Sequence, residues 1–487
     1  MILREVFEKA VSLGSDREAL VTHSARFSYK ELFSISVKTA GALQSMGLKK
    51  GDHVGVLMGN DEKWLSLFYG AALAGMVTVP VNTRFKAAEI EFCVRQADCK
   101  VLFYVDRFLK QDFGSMVSGL ALQKFDISKK LPERSFKPVD VNGDDVLLIQ
   151  FTSGTTAYPK GAMLTHDNML RDALAAGTRI GIRPDDRYFN CRPFFHVAGS
   201  TLSALMSLVA GATLVTLPTF EAGPALELME RERCTLVSGN DTLFQMLMGH
   251  ADFPKRKLSL RGGWAAAGPQ TMRQIIDVLG AKLICAAYGL SEASPNVVMS
   301  DWRDSEELRI SGLALPHEGV QLRISPEGEI QVRGWNVMKG YYNNPDANAK
   351  AFTADGWLKT GDLGELVLDG RLRMIGRLKD VFRVGGENVA PAEVEEVLLA
   401  HPAVETAQVI GVPDARLGEV PCAYVTLKSN ASVLENELID WCKAKSANFR
   451  VPRYLRIVPD FESIGMTASG KVQKTKLREH ALHEFKL

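Results

Sequence analysis

The densest polar chemistry of the chain lies in ten residues between two short apolar runs. Val146 to Phe151 reads as a buried strand and Ala162 to Leu164 as a second; between them Thr152 to Gly161 spells TSGTTAYPKG. That stretch holds four aliphatic hydroxyls (Thr152, Ser153, Thr155, Thr156), two glycines (Gly154, Gly161), a proline and one lysine, Lys160. Glycines let backbone N–H groups turn toward an anion, hydroxyls add short donors, and a lysine supplies compensating charge, which together make a phosphate grip. The pattern G-x-x-x-x-G-K-[ST] cannot be aligned on it. On composition alone, a polar surface loop is an equally open reading.

Other strings carry chemistry of their own. In Ile284 to Ala293, ICAAYGLSEA, a flat ring (Tyr288), a glycine (Gly289), a hydroxyl (Ser291) and a carboxylate (Glu292) fall within five residues. They can stack a base, turn the chain, touch a phosphate and hold a magnesium ion, although a strand ending in a turn has the same composition. Asp362, in GWLKTGD, is suited to accept both hydroxyls of a sugar diol, and Arg377 can pair with ribose or phosphate oxygens. His196, in RPFFHVAG, is a lone histidine among aromatics, a type more often found packed in a core. Asn240 and Asp241 follow a short strand pattern, where a helix cap is at least as good a reading as a polar pocket wall. Gly263 to Pro269, GWAAAGP, reads as a tight turn whose small residues allow close backbone approach.

The elements that must position these groups follow from periodicity. Tyr29 to Met46 has a helical stripe ended by Gly47; His53 to Met58 reads as a strand, Asp61 to Ala74 as a helix and Met76 to Val81 as the next strand. This β-α-β patterning argues for parallel sheets covered by helices. Lys110 to Asp140, polar with Pro132 and Pro138, reads as an irregular connector. Thr165 is placed to cap a helix with Asp167 in its first turn; Pro391 opens another, with Val394, Val397 and Leu398 as its stripe and His401-Pro402 as its stop.

Length and composition bound the rest. The chain has 487 residues, enough for about three domains or subdomains. Hydrophobic residues at 46% and charged residues at 24% are ordinary globular values, and a net charge of +1 makes no case for nucleic acid or an anionic membrane. Seven scattered cysteines with no C-x-x-C read as reduced core thiols in a cytoplasmic protein. The N-terminus lacks a signal-peptide core, and the most apolar stretch, Leu65 to Val81, is too short and too broken by Gly70, Gly75 and Pro80 to span a bilayer.

TSGTTAYPKG closely resembles the phosphate-binding signature, usually TSGTTGxPKG, of the adenylate-forming superfamily of acyl-CoA synthetases, peptide-synthetase adenylation domains and luciferases. Ala157 replaces the usual second glycine. ICAAYGLSEA is similar to the family's YGxTE, with Ser291 for threonine, and RPFFHVAG to its aromatic-histidine motif. GEIQVRGWNVMKGYY, ending at Tyr342, resembles the string that follows, with Trp335 where proline is usual; GWLKTGD resembles the TGD motif. MTASGK resembles the closing PKTxSGK, with Gly465 and Met466 in place of proline and lysine. Six strings in the family's order, from residue 152 to residue 471, cover most of the chain.

The resemblance implies an α/β fold: a large N-terminal domain of helix-covered β-sheets (1–376), a hinge (377–380) and a small mobile α+β C-terminal domain (381–487). It implies ATP, Mg²⁺ and CoA as reactants and cofactor, a small carboxylic acid as partner, and no nucleic acid or membrane span; a homodimer stays open. The loop Thr152, Ser153, Gly154, Thr155, Thr156 and Lys160 would bind phosphate. Tyr288 and Gly289 would lie against adenine, Ser291 on the α-phosphate, Asp362 and Arg377 on ribose and phosphate, and Glu292 with Thr155 on Mg²⁺. His196 would gate the acid pocket, lined by Asn240, Trp264 and Ala266. Lys379 would be the hinge, Gly385 and Gly386 the CoA face, and Lys471 the lysine of the first half-reaction. The activity implied is AMP-forming carboxylic acid:CoA ligation of a fatty or other apolar acid. An enzyme loading a carrier-protein thiol is the alternative, since both begin with the same acyl-adenylate; a silent nucleotide-binding scaffold is a third reading.

Overall fold

The computed structural model describes residues 1–152, 159–428, 430–466 and 472–487. Ser153, Gly154, Thr155, Thr156 and Lys471 therefore lie outside the described residues. The chain forms two compact units, Met1–Leu322 with Val332–Leu358, and Arg323–Gln331 with Lys359–Leu487. The boundary expected at residue 376 thus differs from this division, which assigns Asp362 and Arg377 to the smaller unit.

The larger unit is built on two sheets. One has nine strands in the order Leu315–Pro316, Asn296–Met299, Leu283–Gly289, Gly262–Ala266, Leu236–Asn240, Arg187–Asn190, Thr213–Thr216, Glu18–Val21, Arg26–Ser28. From Leu283–Gly289 to Glu18–Val21 every pairing is parallel. Strand order reverses at Arg187–Asn190: the next strand, Thr213–Thr216, lies on one side of it, and the one after, Leu236–Asn240, on the other. In a parallel sheet the connections leaving such a reversal diverge and open a crevice at the carboxyl ends of the strands. The second sheet runs Lys160–Thr165, Val146–Thr152, Val77–Pro80, His53–Leu57, Val101–Tyr104, Gln123–Asp126, parallel except for its antiparallel first pair.

The apolar stretch Leu65 to Val81 divides between a core helix, Glu62–Leu73, with ten of its twelve residues buried, and the buried strand Val77–Pro80. A helix apolar around its whole circumference has to be covered on all sides. Gly70 lets it touch the helix Tyr29–Ser45, because a β-carbon there would sit 2.9 Å from Ser36 O and 3.0 Å from Ala40 N. No helix among the described residues is long and apolar enough to cross a membrane. All seven cysteines are free and buried, as read from their scatter.

Two expectations change. The supposed connector Lys110 to Asp140 contains a short helix, Phe113–Val117, and an edge strand, Gln123–Asp126, before it becomes irregular. The supposed turn at Gly263 to Pro269 is mostly strand, Gly262–Ala266, with a helix starting at Pro269. Its small residues serve close approach as expected: a β-carbon on Gly263 would lie 1.8 Å from Val237 O.

The smaller unit holds an α+β sheet of Glu387–Val389, Phe382–Val384, Gly418–Leu427 and Val404–Asp414, with Tyr454–Ile457 parallel to Gly418–Leu427. Helices Pro391–Leu399, Glu435–Lys445 and Lys474–Phe485 contribute Val394, Leu398, Leu438, Cys442, Leu477 and Ala481 to its core.

Candidate active site

Local rules place the first group of side chains. Strand Val146–Thr152 is antiparallel to Lys160–Thr165, so Thr152 and Lys160 are register partners across the two anchors of the phosphate-grip string. The segment Lys339 to Tyr342 adds to the far side of Lys160–Thr165: Lys339 N–H donates to Met163 O, Met163 N–H to Gly340 O and Tyr342 N–H to Gly161 O, at 2.8–3.0 Å. This brings Tyr341 over Lys160, whose Nζ lies 5.2 Å from the ring centre.

Glu292 completes the group. Its strand, Leu283–Gly289, turns sharply at Gly289, where a β-carbon would meet Pro295 O at 1.9 Å. A short 3₁₀ turn, Ser291–Ala293, then aims the carboxylate at the phosphate-grip anchors. Thr152 Oγ1 donates to Glu292 Oε1 at 3.2 Å and Tyr341 OH donates to the same oxygen at 2.8 Å. Burial and the adjacent Glu292 raise the Tyr341 phenol pKa, so the phenol stays a donor. The turn is fastened from behind: Met338 N–H donates to Glu292 O, Asn336 Nδ2 to Asn296 O, and Asn296 N–H to the buried Asp172. Tyr288 and Ser291, half-buried, and the exposed Gly289 share this strand end.

A second group collects at the crevice. The loop Arg192 to His196 leaves the strand at which the order reverses, and three side-chain amides hold its backbone. Asn60 accepts from Phe194 N–H at 2.7 Å; Asn60 Nδ2 and Asn190 Nδ2 each donate to Arg192 O at 2.8 Å; Gln150 Nε2 donates to Phe195 O at 3.1 Å. Gly199 allows the loop to fold back, with a β-carbon position only 2.2 Å from Pro193 O. On the neighbouring strands Ser238 faces Trp264 and Asn240 faces Ala266 in register. Trp264 is buried and Ala266 exposed. Asn240 caps the helix Asp241–Met248, its Oδ1 accepting from Leu243 N–H at 3.1 Å.

His196 accepts from Ala198 N–H at Nδ1, 3.1 Å away, so the neutral ring carries its proton on Nε2 and offers a donor. Its ring is solvent-accessible yet set deep in protein mass. That desolvation, then the Arg192 charge, lowers its pKa to about 4. Desolvation likewise lowers His166 to about 4 and His317 to about 3. The unfolded chain takes up these protons near pH 6.5 and the fold does not. Each histidine therefore contributes stability above pH 6.5 that is lost as pH falls toward its folded value. Asp61, raised by burial to about 6, and Asp172, also raised by burial, act oppositely: their contribution is present at low pH and lost as pH rises. Nitrogen-15 NMR of labelled histidine is expected to show all three imidazoles neutral at pH 5.5; a charged His196 there contradicts the assignment.

In the smaller unit, Asp362 and Arg377 face each other across antiparallel strands Leu358–Leu366 and Leu372–Arg377. Arg377 Nε and Asp362 Oδ1 form an ion pair at 2.8 Å, with Asp362 only 2% exposed at its side chain. Asp362 N–H donates to Thr360 Oγ1, whose hydroxyl donates to Ile330 O. Lys379 lies exposed in a 3₁₀ turn, Leu378–Asp380. Gly385 and Gly386 form the two-residue turn between Phe382–Val384 and Glu387–Val389, at φ +59° and +97°, a pair of left-handed conformations that favours glycine.

Sequence reasoning missed Tyr341, Asn60, Asn190, Gln150 and Arg192. Tyr341 stands in a string already matched, but nothing in its spacing ties it to Glu292, 49 residues away. The amides carry no local signal at all.

The family model described as AMP-binding enzyme matches residues 7–342, and that described as AMP-binding enzyme C-terminal domain matches residues 393–471. The chain is 32% identical to the mitochondrial medium-chain acyl-CoA ligase ACSF2 of Mus musculus, covering 97% of this chain and 86% of that one. It is 35% identical to the 3-[(3aS,4S,7aS)-7a-methyl-1,5-dioxo-octahydro-1H-inden-4-yl]propanoyl:CoA ligase of Rhodococcus jostii (strain RHA1), covering 95% of each. Among solved structures, the anthranilate CoA ligase AuaEII in complex with anthranoyl-AMP has a TM-score of 0.90 at 25% identity, over 99% of this chain and 98% of that one. The chain belongs to the AMP-binding enzyme family, in the acyl-CoA ligase branch of the adenylate-forming superfamily, and is an AMP-forming acid–CoA ligase with ATP, CoA and a carboxylic acid as substrates.

Proposed function

We propose that the enzyme activates an apolar, medium-chain or ring-bearing carboxylic acid, and that the side chains described above divide the work of two half-reactions. The observation that carries this reading is the convergence of Thr152, Lys160, Tyr341 and Glu292 within hydrogen-bond or ring-contact distance. A carboxylate lacks a leaving group. Its oxygen attacks the α-phosphorus of ATP, the bond to the β-phosphate oxygen breaks, and pyrophosphate leaves. The thiol of CoA then attacks the acyl carbonyl and AMP leaves with the electron pair of the broken C–O bond.

Lys160 and the loop Ser153 to Thr156 meet the phosphates, Ser291 the α-phosphate, Tyr288 and Gly289 the adenine, and Asp362 with Arg377 the ribose. Lys471 serves the first half-reaction. Rotation at Lys379 brings Gly385 and Gly386 to the pantetheine for the second, with 1–376 and 381–487 as the moving bodies. No group of three or more His, Cys, Asp or Glu among the described residues could hold a metal. A lone carboxylate, Glu292, with hydroxyls beside it suits Mg²⁺, which takes one or two carboxylates and completes its shell with substrate phosphates and water. When bound, the ion neutralises charge that builds on those phosphates. Thr155 is its second proposed contact. A cytoplasmic location rests on the seven unpaired cysteines.

The test is pyrophosphate release with Mg-ATP over short, medium, long-chain and aromatic acids, with and without CoA, beside a Lys471→Ala variant. The expected result is acid-dependent release that yields a CoA thioester, is highest with medium-chain or cyclic acids, and falls about 10²-fold or more in the variant. Exchange without thioester points to a carrier-protein acceptor; silence across the panel points to the scaffold.

A further inference from the structure

Arg192, unlike Arg187 and Arg261, has no ion pair among the described residues. Deep arginines elsewhere in the larger unit have charged or carbonyl partners: Arg187 pairs with Glu18 and Glu232, Arg261 with Asp186, and Arg309 donates to the carbonyls of Trp302, Asp304 and Lys282. Arg192 is half-buried; no carboxylate among the described residues pairs with it, and its Nε, like those of Arg187 and Arg309, is inaccessible to solvent without a hydrogen-bond partner. Its guanidinium carbon lies 6.0 Å from the Trp264 ring centre, and its charge is felt by His196. Desolvation holds its own pKa below the usual arginine range. The backbone beneath it is pinned by Asn60 and Asn190, so it is a built feature of the loop.

A cation set in protein mass without a partner lowers stability, and the fold has carboxylates enough to neutralise it elsewhere. Its place beside Trp264 and His196 supplies the reason. We propose that Arg192 receives an acceptor oxygen, a carbonyl or a second carboxylate, carried on the body of the acid away from the carboxylate that is activated. The preferred acid is then an apolar frame bearing one polar oxygen, and Arg192 is a specificity-determining residue. This rests on the reading of the crevice as the acid pocket.

The experiment compares octanoate, 7-oxooctanoate and suberate as substrates for CoA thioester formation by the full-length enzyme, its Arg192→Leu variant and its Arg192→Lys variant. The wild type is expected to favour one oxygenated acid over octanoate by at least about tenfold in kcat/KM, since a site built to bond an oxygen discriminates against the analogue lacking it. Which of the two is favoured separates carbonyl from carboxylate. Arg192→Leu is expected to lower kcat/KM for the favoured oxygenated acid at least about tenfold more than for octanoate, abolishing that ratio, and Arg192→Lys to keep part of it. The ligand-free Leu variant is expected to melt at an unchanged or higher temperature, which excludes misfolding as the cause. Octanoate equal to or better than both oxygenated acids in the wild type overturns the proposal. A uniform loss over all three acids in Arg192→Leu also overturns it, by assigning Arg192 to the reacting carboxylate or the nucleotide. Absence of pyrophosphate release from every acid in the wild type is a different failure, that of the acid-pocket reading itself.

Discussion

Glu292→Gln lowers the rate of acyl-adenylate formation by about 10²–10³-fold while leaving the fold in place. The amide preserves an acceptor oxygen for the Thr152 and Tyr341 hydroxyls, which donate to Glu292 at 3.2 and 2.8 Å, so the local hydrogen bonds survive and only the charge is removed. What is lost is the carboxylate proposed to hold the divalent ion at the phosphates. Acid-dependent ATP–pyrophosphate exchange measured over a range of Mg²⁺ concentrations checks this. The half-saturating Mg²⁺ concentration should rise together with the fall in kcat, and the melting temperature should move little. Exchange within threefold of wild type at all Mg²⁺ concentrations would remove Glu292 from the site.

Asp362→Ala weakens nucleotide binding about 10²-fold. Two charge-assisted hydrogen bonds to a ribose diol, at about 1.5–3 kcal/mol each, amount to that loss after the partial compensation by water. The variant also frees Arg377, whose side chain is 42% exposed and can be resolvated, so the stability cost is modest. A nucleotide without ribose hydroxyls separates the two effects: 2′,3′-dideoxy-ATP should bind wild type about as poorly as ATP binds the variant, and the variant should not distinguish the two nucleotides. Calorimetric titration reads all four affinities. If the variant still prefers ATP over its dideoxy analogue by the wild-type factor, the carboxylate does not hold the ribose.

Elements with enough length to show a period were legible. Helix Glu62–Leu73 and strands His53–Leu57 and Val77–Pro80 fall within two residues of the ranges read from pattern, and Thr165 caps its helix as read. Short polar elements were not: QKFD at Gln123–Asp126 carries no alternation, and only the neighbouring strand Val101–Tyr104 makes it a strand. Gly262–Ala266 was hidden for the opposite reason, since glycine and alanine are poor strand formers and here serve close packing of backbones. Within the site, groups that lie in compact strings could be found from their residue types. Tyr341, Gln150 and Arg192 could not, because their roles exist only where distant strands meet. Asn240 was legible both ways, and the local i to i+3 rule is the one its oxygen obeys.

The seven buried cysteines acquire a meaning once the second substrate is a thiol and the intermediate an activated ester. Burial pushes the thiols of Cys191 and Cys442 up to about 11 and those of Cys93, Cys234, Cys285 and Cys422 to about 12, with Cys99 raised further. A thiolate is the attacking species in both acyl transfer and disulfide exchange, and these groups hold almost none at neutral pH. With so little thiolate, these cysteines are poor rivals to CoA for the electrophilic intermediate and poor partners for a mixed disulfide. Chemically, the incoming cofactor is the most competent sulfur nucleophile in the room.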